Sequence, residues 1–442
     1  MTADMNLSIE QRVAHLLRHL GLAQVHLAAR SLRDWQGLAT TFPDRIASIT
    51  LVCPPIVDAH ALLSLASRFL LVTGDRGPAV ERTQGVLAEL AGATHVVLQG
   101  YSGLLWDDVV ADHPGAIGTT MQAFLHRMDQ QQRMPAVTLP EGTGEHAGLF
   151  YRIQGAGAPL VLFPLGLARS QWEPLIHLLA MDYCTITLGG PAVGMVAALE
   201  ERSRAGYLRV MQHLVDEMAP QPGETVLEVG CGSGVLTRWL AHRTRGANRL
   251  VGVDVNPYLL REAGMIARHA HLEDVITFQE GNAEDLPFPE RSFDLTMSCT
   301  LLEEVDADRA VAELVRVTKP GGRVGNIVRA MDMSWSVNLP LDAPLKTVVE
   351  AQSRMGMGIQ ARGCADASLY RRLKDAGLVD VRMVVEFASY TEGPYWQGQR
   401  WKLLLNLSPE DTQRCREAIA HTEARGPLVI AEPFHCAVGT RP

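Results

Sequence analysis

No stretch of the chain approaches the ~18 consecutive apolar residues that cross a bilayer. The opening residues, MTADMNLSIEQRVAHLL, lack the basic segment and apolar stretch of a secretory signal. Neither a membrane partner nor secretion is expected. Clustered Lys and Arg are also missing: 49 acidic residues outnumber 40 basic ones, for a net charge of −9. Phosphate backbones are gripped by basic patches, so nucleic acid is not an expected partner. Cysteine is sparse, with seven residues at 53, 184, 231, 299, 364, 415 and 436 and no CxxC pair. An odd, dispersed set reads as free thiols in a reducing cytoplasm. Each is most simply a small buried apolar residue, and no metal site is expected.

What remains is a globular composition. The 442 residues are 47% hydrophobic and 20% charged, which allows two or three domains with sizeable cores. The clearest chemistry lies in residues 223–330. TVLEVG (225–230) is a buried-strand pattern that ends in Gly230-Cys231-Gly232-Ser233-Gly234, and a helical pattern follows from Val235. Glycines at a strand-to-helix turn let backbone approach a ligand at the carboxyl end of a sheet. RLVGVDV (249–255) is a second strand. Its Asp254 comes 20 residues after Gly234, where it can accept both ribose hydroxyl hydrogens. ITFQEGNAEDLPF (276–288), FDLTMSC (293–299) and GGRVGNIVRA (321–330) supply three more strands, and helical stretches 257–270 and 306–318 separate them. The repeat predicts an α/β fold with a parallel, doubly wound sheet.

VLEVGCGSG, GVDVNPYLL, EGNAEDLPFPERSFD and KPGGRV, in that order, resemble class I S-adenosylmethionine-dependent methyltransferases. The similarity is to small-molecule enzymes of the ubiquinone/menaquinone-biosynthesis type, and it extends over about residues 200–442. It implies a Rossmann-like seven-stranded sheet, with 381–390 and 434–441 as strands six and seven, the seventh antiparallel, and helix 367–377 before strand six. It implies S-adenosylmethionine as cofactor and a small-molecule acceptor. Gly230, Gly232 and Gly234 would pass beneath the methionine part, Glu228 would hold its amino end, and Asp254 would bind the ribose beside Asn256. Asn282, Ala283 and Glu284 would flank adenine; many relatives have Asp where Asn282 stands. Cys299 and Thr300 would line the floor near the methionine.

Segments 331–366 and 391–433 fit none of the common sheet. In this fold such insertions build a lid that selects the acceptor, and they carry Trp335, Cys364, Tyr395, Trp396 and Trp401. An apolar lid excludes water from a sulfonium. Glu303 and Glu304, in TLLEEVDAD, are candidates for a general base, against a reading as helix-start acidity. Tyr207 begins the helix entering the domain. It is a candidate to close over the cofactor, or else an interface tyrosine. The acceptor atom, whether S, N, O, C or As, is not readable.

Residues 11–52 and the segments FLLVTGDRGP and ATHVVLQGYSGLLWDD resemble the central and last strands of an α/β-hydrolase. Ser31, in HLAARSLRDWQGLA, stands where that fold carries its nucleophile, but Ala29 and Arg33 replace the elbow glycines. Gly77, just after Asp75, and Gly103 fall at the acid and histidine positions. Residues 146–190 resemble the beginning of the same fold, placed after its end. The expected organisation is a degenerate, circularly permuted α/β-hydrolase-like domain over 1–195 and a methyltransferase domain over 200–442. A homodimer stays open. Two other readings stay open as well. One is a bifunctional hydrolase–methyltransferase using His26, His95 or His113; the other is a non-catalytic cofactor-binding protein.

Overall fold

The protein is described here as a computed structural model covering residues 7–30, 36–54, 60–77, 80, 83, 87, 89–90, 92–102, 108–204, 206–351, 359–405 and 407–442. It divides into two compact units, Met1–Ala197 and Ala198–Pro442.

The first unit opens with helix α1 (Ile9–His19). Its start follows from local chemistry: the Ser8 hydroxyl accepts from the Gln11 amide while the Gln11 side chain accepts from the Ser8 amide. Val13, Leu16 and Leu17 form its buried face. Next come β1 (Val25–Ala29), α2 (Gln36–Thr41), β2 (Ile46–Val52), β3 (Phe69–Gly74) and β4 (Thr94–Leu98). They are followed by α3 (Val109–Asp112), α4 (Pro114–Gln132), β5 (Gly142–His146), β6 (Leu149–Gln154), β7 (Ala158–Leu162), α5 (Glu173–Leu179) and β8 (Tyr183–Gly189). All eight strands join one sheet, in the order β4-β3-β2-β1-β7-β8-β6-β5.

The later half of the unit therefore docks against the earlier half in mid-sheet. β7 runs parallel to β1, with His26 opposite Leu160, Leu27 opposite Val161 and Ala28 opposite Leu162. The pleat sends Leu27, Ile49, Leu51 and Val161 into one core with α1. It sends Ala28, Leu70, Leu160 and Leu162 into the other, with α4 and α5. Covering both faces is what parallel strands require, and it explains their unbroken apolar runs. Ser31 and Gly103 lie outside the described residues. Gly77 sits at a turn with φ +91°. Asp75 accepts the Gly100 and Tyr101 amides at 2.8 and 3.1 Å. Of the three histidines, His26 is buried in a side-chain chain: its Nδ1 lies 2.7 Å from Ser48 Oγ and its Nε2 2.9 Å from Asp129 Oδ1. Tyr183 donates to the other Asp129 oxygen at 2.8 Å. His95 Nε2 lies 2.9 Å from Thr73 Oγ1, and His113 packs edge-on against Tyr101.

In the second unit, α6 (Gly194–Arg204, which begins before the boundary) and α7 (Gly206–Met218) precede β9 (Thr225–Val229), α8 (Val235–Arg243), β10 (Arg249–Asp254), α9 (Pro257–His269) and β11 (Ile276–Glu280). β12 (Phe293–Cys299), α10 (Ala307–Val317), β13 (Thr318–Arg329), β14 (Ser336–Val337) and α11 (Ala343–Glu350) come next. α12 (Ser368–Asp375), β15 (Val379–Tyr390), α13 (Gly393–Lys402), α14 (Pro409–Glu423) and β16 (Ile430–Thr440) complete it. The main sheet runs β11-β10-β9-β12-β13-β16, and β15 pairs with the other edge of β16. β9 to β13 are parallel to one another, and β16 is antiparallel to both β13 and β15. α7 and α8 cover one face, α10 and α12 the other. This is a doubly wound α/β sheet with an antiparallel last strand.

The segments 331–366 and 391–433 meet. Trp335, Val337, Leu345 and Val349 from the first pack with Leu403, Cys415, Ile419 and Leu428 from the second into a separate small core. β14 adds two residues of pairing to β16, Ser336 to Ala431 and Val337 to Ile430.

Leu27, fully buried at the seam between the two halves of the first unit, gives a direct test of that seam. Leu27→Ala is expected to lower the unfolding free energy by about 2–5 kcal/mol. Urea unfolding followed by circular dichroism measures it, and a loss below about 1 kcal/mol would show that the seam carries little of the packing.

Candidate active site

The chain leaves β9 through Gly230, Gly232 and Gly234, with φ of +75°, +53° and +72°, a region that side chains disfavour. Val253 O accepts the Gly230 and Cys231 amides at 2.7 and 3.0 Å, which ties the loop to β10. Asp254 tightens the tie. One carboxylate oxygen accepts the Gly232 amide and the other the Asn256 amide, each at 2.8 Å. Burial pushes this carboxyl up, and the two amides pull it back. Each oxygen retains acceptor capacity on its remaining lone pair.

The three glycines differ in what surrounds them. A Cβ on Gly234 would stand 2.5 Å from the Phe278 ring, so this glycine permits helix–strand packing. A Cβ on Gly230 would touch Leu301 at 3.0 Å, whereas on Gly232 it would meet Leu199 alone, at 3.2 Å. Gly232 is thus the least crowded of the three, with one side-chain atom in reach.

Other residues of the expected cofactor set have partners of their own. Glu228 is buried on β9 and accepts from the Thr237 hydroxyl of α8; burial pushes its carboxyl up to about 7. Asn256 caps α9, its side-chain oxygen accepting from Tyr258 and Leu259 amides at 3.1 and 3.0 Å. Asn282 is exposed, and its side-chain oxygen accepts the Glu284 amide at 2.9 Å, closing a turn. Ala283 is buried. Glu284, expected beside adenine, also has protein partners. Its carboxylate accepts the Asp306 amide at 3.0 Å and pairs with Arg309 at 3.1 Å, so it serves the start of α10, where a negative charge is favoured.

Beyond the end of β12 lies a second group. Cys299 is half-buried, and burial pushes its thiol well above the usual range. Thr300 has φ +53°, an outlier for a β-branched residue, and its Oγ1 accepts from Arg202 at 3.3 Å. Tyr207 is fully buried on α7, with the Arg202 guanidinium 4.3 Å from its ring centroid. Glu303 and Glu304 separate. Glu303 is 2% exposed, and its Oε1 accepts the Arg329 amide at 2.8 Å. Burial comes first among the causes that raise its carboxyl. Glu304 is exposed.

The lid aromatics divide as well. Trp335 belongs to the small core, Trp396 donates its indole N–H to Leu428 O at 3.0 Å, and Trp401 is 50% exposed. Cys364 sits beside Ser368 Oγ at 3.7 Å. Only Tyr395 of this set joins the polar group, donating to Glu432 at 3.1 Å and stacking near Tyr390. Sequence reasoning missed Arg202, Tyr390 and Glu432, which belong to no motif. The single available hint was an arginine, in LEERSRAGYLRV, within two turns of Tyr207.

Residues 227–325 match the family model described as "Methyltransferase domain". The chain is 38% identical over 104 residues to a demethylmenaquinone methyltransferase from Symbiobacterium thermophilum, covering 23% of this chain and 41% of that protein. It is 32% identical over 136 residues to a probable chloroplastic tocopherol O-methyltransferase from Oryza sativa, covering 30% and 37%. A 2-phytyl-1,4-naphtoquinone methyltransferase from Nostoc sp. is 36% identical over 124 residues, covering 26% and 54%. The chain spans about two fifths of the length of the first of these relatives. The glycine loop, Asp254 and the strands from β9 to β13 all fall in or beside the segment that matches the methyltransferase-domain model.

Proposed function

We propose that the second unit binds S-adenosylmethionine over the Gly230–Gly234 loop and catalyses methyl transfer to a small-molecule acceptor. The observation that carries this reading is the Asp254 carboxylate, held by the Gly232 and Asn256 amides beside a loop of three left-handed glycines. A carboxylate fixed at both oxygens is preorganised to accept a pair of ribose hydroxyls. The least crowded of these glycines, Gly232, admits the methionine portion. When bound, the cofactor supplies an electrophilic methyl group on a sulfonium.

The chain's own residues do the rest. Cys299 and Thr300 wall the site at the end of β12. The joint core of the two insertions holds α13 over the acceptor side and excludes water. Glu303, buried beside Arg329 and with Oε2 lacking a hydrogen-bond partner, is the general base for an acceptor that carries a proton. Glu304, being exposed, has no part.

The first unit is read as a permuted, catalytically silent α/β-hydrolase-like scaffold. Its support is the single sheet shared by both halves, together with the engagement of Asp75 by backbone amides and of His26 by Ser48 and Asp129. Cytoplasmic residence and a homodimer complete the reading. The seven free cysteines suit the first, and light scattering checks the second.

Asp254→Ala is expected to weaken S-adenosylhomocysteine binding about tenfold or more, since charge-assisted hydrogen bonds contribute roughly 1.5–3 kcal/mol. Calorimetry on the folded variant measures it, and unchanged affinity would sink the ribose assignment. Glu303 predicts a pH profile. Its carboxyl is raised above the ordinary 4.5 and must ionise to accept a proton, so kcat climbs with pH through a pKa above that value. Glu303→Gln should remove this limb and lower kcat about 10²–10⁴-fold. Retention of the limb would assign the base elsewhere.

A further inference from the structure

Four buried polar atoms on the acceptor side of the second unit have no hydrogen-bond partner: Arg202 Nε, the hydroxyls of Tyr207 and Tyr390, and Glu303 Oε2. Tyr207, Tyr390 and Glu303 are each no more than 2% exposed. Leaving one such atom unpaired is costly, and several in one place mark a site whose ligand supplies the missing partners.

The donors say what that ligand is. Arg202 is half-buried, with Thr300 Oγ1 as its hydrogen-bonding partner and the face of Tyr207 as its stacking partner. The buried carboxylates of Glu432 and Glu303 act on its charge from beyond ion-pair range, and its buried Nε is left without an acceptor. Glu432 lies in the same neighbourhood but accepts from Tyr395, and burial pushes its carboxyl up. Glu303 is taken by Arg329. The backbone of Thr300, with its unfavourable φ, holds the hydroxyl that orients Arg202, and strain of this kind collects at functional sites.

We propose that Arg202, Tyr207 and Tyr390 form the subsite for a carboxylate on the methyl acceptor, so that the substrate is a small organic acid. This rests on the methyltransferase reading above. One guanidinium and two neutral hydroxyl donors match a single negative charge in planar form, which an arginine recognises through parallel N–H donors. The ring pairs Tyr207–Phe434 and Tyr390–Tyr395 give the acid's carbon skeleton apolar walls. The free oxygen of Glu303 is left to face the acceptor's protic group. The methionine end of the cofactor also carries a carboxylate, so the test must tell the two sources apart.

Calorimetry on the full chain does so in two arms. S-adenosylhomocysteine is titrated first into wild type, Arg202→Met and Tyr390→Phe. Benzoate, phenylacetate and acetate, each beside its amide, are then titrated into the cofactor-saturated proteins. Wild type should bind at least one acid about tenfold more tightly than its amide, the worth of one charge-assisted contact. Arg202→Met should erase that preference, and Tyr390→Phe should reduce it, while both bind S-adenosylhomocysteine within about twofold of wild type. A melting temperature of Arg202→Met at or above wild type shows that the variant folds. The assignment is overturned if no acid is preferred, or if the preference survives in Arg202→Met. A fall of about tenfold in S-adenosylhomocysteine affinity in Arg202→Met would give the guanidinium to the cofactor's own carboxylate and overturn the acceptor subsite. Absence of S-adenosylhomocysteine binding to wild type would instead remove the methyltransferase reading itself.

Discussion

The carboxylate of Asp254 is the constraint on which the second unit's site depends. It sits at the end of β10 and reaches sideways to the Gly232 amide, one strand over, and forward to the Asn256 amide at the start of α9. Loop, strand and helix are thereby held by one side chain. Parallel strands end on the same edge of a sheet, and connections that leave that edge open a crevice there. In this chain that edge carries a loop whose middle glycine has one side-chain neighbour, Leu199, and whose last glycine is pressed against Phe278. Gly234 lets Phe278 close in beneath.

The opposite wall of the crevice is built differently. No motif supplies it. Segments 331–366 and 391–433 are far apart in the chain, and each is too short to bury a core alone. Packed together they enclose Trp335, Leu345, Cys415 and Ile419. That shared core positions α13, and α13 presents Tyr395 beside Tyr390 and Glu432. The polar atoms gathered here are only partly satisfied by one another.

Much of the second unit was legible. Its strands are continuous apolar runs because helices cover both faces, and the helix starts carry their own signals, such as Asn256 before Pro257 and Asp306 before the stripe Ala307, Ala310, Val311 and Leu314. The glycine loop and Asp254 were legible because backbone exposure and ribose recognition each demand a particular residue at a particular strand end. Glu284 shows what the letter alone does not carry: its carboxylate reaches the Asp306 amide and Arg309 from another part of the chain. The lid aromatics, each most simply a core residue, divide in the fold: Trp335 and Tyr395 look alike in sequence, yet one fills a core and the other meets Glu432.

The first unit draws the line most clearly. Apolar runs and turns in the sequence determined that residues 25–29, 46–52, 69–74 and 158–162 are strands, because a parallel strand buried on both faces has almost no other composition. Their order in the sheet was decided by tertiary structure alone, since β7 reaches β1 across more than a hundred residues and pairs with it through backbone groups that carry no identity. Likewise, sequence determined that a glycine loop and an acid would meet at the end of β9. Only the fold decided that, among the described residues, the buried Nε of Arg202 would be left without an acceptor, because the absence of a partner is a property of space and not of any residue.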